Sequence, residues 1–195
     1  KSKDMFKRVD NNINLASVEN EISNYWDEID AFQTSLDNRK NNKVFRFYDG
    51  PPFPTGTPHY GNLLAGVIKD IVPRYWTMRG YYVERRFGWD VHGLPIEMEV
   101  QKKLNLEDPQ QIDEYGIDKF NEACRTQVQT NTENWEKITR KIGRWVDFEN
   151  DYKTMDIDFM ESVWWVFKEL WEKELIYQDY KVLPYSWAAS TPLSN

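Results

Sequence analysis

Ten consecutive residues constrain this chain more than any others. Asp49-Gly50-Pro51-Pro52-Phe53-Pro54-Thr55-Gly56-Thr57-Pro58 holds four prolines and two glycines. Proline fixes φ and lacks an N–H, so such a run is neither helix nor inner strand. It is a stiff loop of fixed shape. The apolar, aromatic run at 44–48 before it reads as a strand. After it come His59-Tyr60-Gly61-Asn62 and a helical stripe of Leu63, Leu64, Val67, Ile68, Ile71 and Tyr75. Pro73 should kink or shorten that helix, and Gly80 is a good stop. The same order then recurs. Residues 81–87 read as a strand, Gly88-Trp89-Asp90-Val91-His92-Gly93-Leu94-Pro95 as a second loop, and 96–104 as a helix. Strand, loop and helix in this order predict an α/β fold, with 44–48 and 82–87 as neighbouring parallel strands.

The flanking segments are simpler. Residues 1–16 read as a loose polar lead-in, and 17–36 as an amphipathic helix with Ser17 as N-cap. Residues 37–43 read as a polar turn. Helical spacing covers 117–143, and again 156–175 with Asp156 as N-cap; 176–185 read as a strand or hairpin arm. The 195 residues are 40% hydrophobic, enough for a sizeable core, and 15% aromatic, which implies a deep core or a large interface. Lys+Arg number 25 against 32 Asp+Glu, a net charge of −7, which excludes a general nucleic-acid-binding module. A single cysteine excludes an internal disulfide framework and a cysteine-rich zinc site, and fits a reducing, cytoplasmic setting. No apolar run is long enough to span a membrane. The start at Lys1 and the stop at Asn195 read as those of a fragment.

In an open parallel sheet, ligands bind beyond the carboxyl ends of the strands. Both histidines, His59 and His92, fall in the two loops expected there. His59 precedes a helix, whose N-terminal N–H groups favour an anion such as phosphate. Gly61 permits close approach to the backbone, and Asn62, three residues from His59, is an uncharged donor on the same side. Asp90 suits an ammonium group, or else caps the next helix. His92 orients Asp90, contacts a ligand hydroxyl, or is a structural histidine. Cys124 reads as core, Trp164, Trp165 and Trp171 as packing, and Arg85-Arg86 and Lys102-Lys103 as solvated charges. A basic rim meeting the acceptor end of a tRNA is the less favoured reading of those pairs.

The two loops together carry a resemblance. The run from Asp49-Gly50-Pro51-Pro52 to His59-Tyr60-Gly61-Asn62 resembles the first signature of class I aminoacyl-tRNA synthetases, usually written His-Ile-Gly-His. Gly88-Trp89-Asp90-Val91-His92-Gly93-Leu94-Pro95-Ile96-Glu97 is similar to the second block of the isoleucine enzymes. Valine enzymes usually read Asp-His-Ala-Gly there, and leucine enzymes Gly-Trp-Asp-Ala-Phe-Gly-Leu-Pro. Asp70-Ile71-Val72-Pro73-Arg74-Tyr75 and the tail Pro184-Tyr185-Ser186 with Thr191-Pro192-Leu193-Ser194-Asn195 extend the resemblance, which runs from about residue 17 to the end. The subtype resembles the eukaryote-like branch.

The resemblance implies a Rossmann-like parallel sheet with additional helices: the amino-terminal half of a catalytic domain, over 17–195, ending where an inserted editing domain would begin. It implies activation of isoleucine with ATP and Mg²⁺ and transfer to tRNA(Ile), with the rest of the synthetase chain packed on this part. By the resemblance His59 and Asn62 are catalytic, His59, Gly61 and Asn62 bind ATP, and Gly50, Pro51, Asp90 and His92 bind isoleucine. No zinc ligands are implied in this segment. The second signature His is Asn62 here. The family's Lys-Met-Ser-Lys-Ser segment is missing from the 195 residues, so the segment alone should be inactive. The alternatives are an inert nucleotide-binding or interaction module, and a valine or leucine enzyme of the same class.

Overall fold

The structure of the chain, a computed structural model, describes residues 11–193 except 189. Most of the expected lead-in, and the last two residues of the tail, lie outside these. The described residues fall into two compact units that divide after Asp156.

The first unit opens with α1 (Leu15–Glu28) and α2 (Ala31–Asp37), where a single helix over 17–36 is expected. The break is at Asp30, whose φ of +44 is left-handed, and the Thr34 hydroxyl donates to the Ile29 carbonyl at 3.0 Å. Asn14, not Ser17, is the N-cap: its side chain accepts from Ser17 N at 3.2 Å. A cap must precede the first helical residue, and Ser17 already lies inside the first turn.

Helix α3 (Tyr60–Met78) forms as expected, but the residues it buries are Gly66, Pro73 and Thr77, and Leu64, Val67, Ile68, Ile71 and Tyr75 of the apolar stripe stay exposed. Pro73 does not shorten it. Proline removes one N–H, and the helix continues for five residues beyond it with Pro73 fully buried and the Thr77 hydroxyl donating to the Pro73 carbonyl at 2.8 Å. Arg74 pins α3 to its surroundings. It pairs with Asp70 at 2.7 Å, donates to the Gly143 carbonyl at 2.8 Å, and its guanidinium lies 5.5 Å from the Trp26 ring and 4.2 Å from that of Trp145.

The sheet is parallel, as expected, but its strands are shifted along the chain. Residues 44–48 and 82–87 do meet in parallel, through one bridge, Val44 to Tyr82. Phe45 N donates to the Tyr82 carbonyl at 2.9 Å, and Tyr82 N to that of Lys43 at 3.0 Å. The ladder proper joins β1 (Arg86–Trp89) to β2 (Asp147–Lys153). Strand β2 carries no apolar alternation and is not expected from the sequence. It forms because β1 presents a row of backbone donors and acceptors that need partners. Between Arg86 and Gly88 the register bulges, so that Gly88 faces Tyr152.

The crossover from β1 to β2 runs through α4 (Leu94–Leu104), α5 (Pro109–Tyr115) and α6 (Ile117–Lys141). Ile96, Val100, Phe120, Val128 and Trp135 from these helices bury against Phe87, Trp89 and Phe148 of the sheet. The Phe87 and Phe148 rings stack at 4.7 Å. Each such side chain contributes about 1.5–3 kcal/mol on burial. Cys124 packs against this core, as expected, and burial, with the Glu97 charge, pushes its thiol pKa up.

Arg85 is not solvated. It is 3% exposed, its guanidinium donates to the Thr77 hydroxyl at 2.5 Å, and it lies 5.3 Å from the Phe32 ring. Burial, partly opposed by the Asp70 charge, lowers its pKa to about 10. A paired charge in a strand looks the same in sequence whether its stem points inward or outward. Arg86 and Lys102 are exposed, as expected.

The second unit holds α7 (Ile157–Glu172) and a short hairpin, β3 (Tyr185–Ser186) with β4 (Thr191–Pro192). Only the end of the strand expected over 176–185 forms. The tryptophans of α7 do not bury: Trp164, Trp165 and Trp171 are 68%, 61% and 60% exposed. Asp156 precedes α7, and its carboxylate accepts from Lys153 N at 2.8 Å.

Candidate functional site

The proline-rich loop ends in the N-terminus of α3, and there His59 and Asn62 bond each other. His59 is the N-cap with extended backbone, and its Nδ1 accepts from Asn62 N at 3.4 Å. The Asn62 Oδ1 accepts from His59 N at 3.0 Å. This reciprocal capping box satisfies two of the helix's unpaired donors. It also fixes which atoms remain for a ligand. With Nδ1 accepting, a neutral His59 carries its proton on Nε2, and Asn62 keeps its Nδ2 hydrogens. The space above Gly61 is taken by the imidazole: a Cβ there would stand 3.0 Å from His59 Cε1 and 3.1 Å from Nδ1. A side chain at 61 would oblige the ring to give by a few tenths of an ångström.

Asn62 also lines a cavity of about 260 Å³, together with Gly50, Pro51, Lys69, Trp135 and Arg144. His59, Gly61, Asp90 and His92 lie outside its lining. Gly50 has ordinary φ, and a Cβ there would meet nothing within 4 Å. No fold constraint therefore demands glycine at 50; the room beside it is open. The loop is anchored from three sides. The Lys69 ammonium lies 2.5 Å from Asp49 Oδ1 and donates to the Gly50 carbonyl at 2.8 Å. The Arg144 guanidinium bonds the other Asp49 oxygen, in a pair whose side chains are 6% and 5% exposed. The Trp135 indole N–H donates to the Gly56 carbonyl at 2.9 Å. Sequence reasoning missed Lys69 and Arg144. The one available signal was a lysine interrupting the apolar stripe between Ile68 and Ile71.

The second loop leaves β1 and is tied to the first: Asp90 N donates to the Pro52 carbonyl at 2.9 Å. A Cβ at Gly88 would stand 2.2 Å from the Tyr152 ring, so a side chain there would force that ring to move. Burial raises the Tyr152 phenol pKa, the Asp49 charge adds to this, and Arg86 partly offsets it. The Trp89 indole donates to Asp151 Oδ2 at 2.7 Å. Asp90 and His92 both approach the Thr154 hydroxyl, which follows β2. Sequence reasoning missed Thr154 as well, because nothing in the chain near it indicates a site. Among the described residues, no group of three or more His, Cys, Asp or Glu stands close enough to hold a metal ion. No helix among them is long and apolar enough to cross a membrane.

Comparison with known proteins follows the same segments. The family described as tRNA synthetases class I (I, L, M and V) matches residues 21–195. The isoleucine–tRNA ligase of Arabidopsis thaliana, described as cytoplasmic, is 57% identical over 91% of this chain. Isoleucine–tRNA ligases of Treponema denticola and Mycobacterium tuberculosis are 52% and 55% identical over 98% and 93% of it. The chain spans only 15–17% of the length of these relatives. Among solved structures, the Agrobacterium radiobacter K84 agnB2 LeuRS, in a ternary complex with tRNA and LeuAMS, matches 83% of this chain and 18% of its own, with a TM-score of 0.57 at 23% identity. That likeness is one of fold.

Proposed function

The chain belongs to the class I tRNA synthetase family, and from that premise we propose that residues 17–195 are the amino-terminal part of the catalytic domain of an isoleucine–tRNA ligase. The full-length protein would activate isoleucine with ATP to isoleucyl-adenylate and pass the isoleucyl group to tRNA(Ile). It would do so in the cytoplasm, a setting supported by the Arabidopsis relative, which is described as cytoplasmic. The choice of isoleucine rests on the names of the relatives. The observation that carries the reading is the cavity that Gly50, Pro51 and Asn62 share at the start of α3. It joins an apolar, rigid wall to a donor at a helix N-terminus.

In this reading Gly50 and Pro51 line the side-chain pocket, and Asp90 receives the α-ammonium group with His92 beside it. The His59 Nε2 and Asn62 Nδ2 hydrogens, with the backbone around Gly61, face the ATP phosphates. During in-line attack of the carboxylate on the α-phosphate, these donors stabilise charge that grows on the phosphate oxygens. Mg²⁺ would come with the nucleotide, held by phosphate oxygens and water. The rest of the synthetase chain would cover the exposed tryptophans of α7.

ATP–pyrophosphate exchange on the full-length protein, with isoleucine, valine and leucine in turn, tests the reading. Valine lacks one methylene, a difference worth about 1–3 kcal/mol, so valine should be activated about 10–200-fold less efficiently. Leucine should be excluded by shape. Equal rates for leucine and isoleucine would overturn the assignment, and no exchange with any of the three would favour an inert module. The 195 residues alone should give no exchange, since one side of the triphosphate lacks stabilising groups.

A further inference from the structure

One hydroxyl gathers the whole of the loop at 90–92. Val91 N donates to Thr154 Oγ1 at 3.0 Å, His92 Nδ1 lies 2.9 Å from the same oxygen, and Asp90 Oδ1 lies 3.4 Å from it. A hydroxyl has one hydrogen and two lone pairs. Val91 takes one lone pair. When His92 Nδ1 is unprotonated, the hydroxyl hydrogen goes to it; when Nδ1 carries the proton, His92 donates and the hydrogen turns to Asp90. Thr154 therefore couples the two side chains through a single rotor.

Thr154 is itself immobile. It is 7% exposed, its N–H donates to the Trp89 carbonyl at 3.0 Å, and a β-branched side chain has a stiff χ1. It stands at the carboxyl end of β2, and Asp90 stands at that of β1, its parallel neighbour. We propose that Thr154 is a positioning residue for amino-acid binding: its hydroxyl sets Asp90 and His92 in the orientation that receives the substrate's ammonium group. This rests on the ammonium role given to Asp90 above.

Thr154→Val keeps the branched shape and deletes the hydroxyl; Thr154→Ser keeps the hydroxyl and deletes the methyl group. In the full-length protein, followed by pyrophosphate exchange, Thr154→Val should raise the KM for isoleucine about tenfold, the size of one lost hydrogen bond. The KM for ATP and kcat should stay within about threefold on the same scale, since neither depends on this bond. Thr154→Ser should restore most of the isoleucine KM. Asp90→Asn, run in parallel, should lose isoleucine binding more severely. An unchanged isoleucine KM in Thr154→Val, with Asp90→Asn impaired, would overturn the positioning role and leave the ammonium role standing. Equal rises in both KM values, unrepaired by serine, would also overturn it, by showing a merely structural residue. If Asp90→Asn binds isoleucine normally, the ammonium role fails, and the proposal with it.

Discussion

The Trp135 indole N–H holds the Gly56 carbonyl at 2.9 Å, across 79 residues of sequence. The proline-rich loop is thus fastened to α6 at a point its own rigidity does not reach. Proline restricts φ residue by residue, but it donates no hydrogen bond with which to dock. The indole supplies that bond, while its ring fills the core between α6 and the loop. Trp135→Phe would keep much of the ring burial and delete the donor. The full-length protein should lose about 1 kcal/mol of stability in denaturant unfolding. Proteolytic nicking within 49–58 should also quicken.

Gly88 lies beneath the Tyr152 ring, closer than any Cβ tolerates. Gly88→Ala should destabilise the chain by about 1–3 kcal/mol, as overpacking does. Adding Tyr152→Ala should return part of that loss, so the two changes should be clearly non-additive in thermal unfolding. Additive losses would mean that the added methyl group does not act through the Tyr152 ring.

Gly50 gives the opposite expectation. Its Cβ position is open, so Gly50→Ala should leave the unfolding midpoint unchanged, within the ~0.5 kcal/mol usual for a substitution that meets nothing. If the cavity wall receives the isoleucine side chain, the methyl group should still raise the KM for isoleucine. A lowered midpoint with unchanged KM would show that the glycine serves the fold.

Asp147 links β2 to acid stability. Burial alone would raise its carboxyl pKa, but the N–H groups of Glu149 and Asn150, at 2.9 and 3.0 Å, and the Asn150 side chain at 2.8 Å hold it below the ordinary 3.8. A folded-state pKa below the unfolded one contributes stability above the unfolded value, and that contribution is lost as pH falls through the folded one. Denaturant midpoints measured between about pH 5 and pH 2 should therefore fall, and Asp147→Asn should flatten that slope.

The local sequence determined most of the helices and the two loops, though not the break at Asp30 or the short helix α5. The stripe from Leu63 to Tyr75 and the spacing across 117–143 place an apolar face wherever they fold, because a helix is built from contacts three and four residues apart. The prolines and glycines at 50–58 exclude regular structure without help from elsewhere. The two loop blocks likewise carried the family.

Tertiary structure decided which groups meet. Strand β2, with its Asp-Phe-Glu-Asn-Asp-Tyr-Lys sequence, exists because β1 lies beside it. Residues 44–48 contribute one bridge rather than a ladder. Arg85 turned inward, Lys69 took the Gly50 carbonyl and Thr154 took the 90–92 loop, each over a separation that no local pattern spans. Side-chain periodicity encodes the face a residue occupies. The partner of a buried polar atom is whatever the fold brings within about 3 Å of it, and that is settled only when the distant segments have packed.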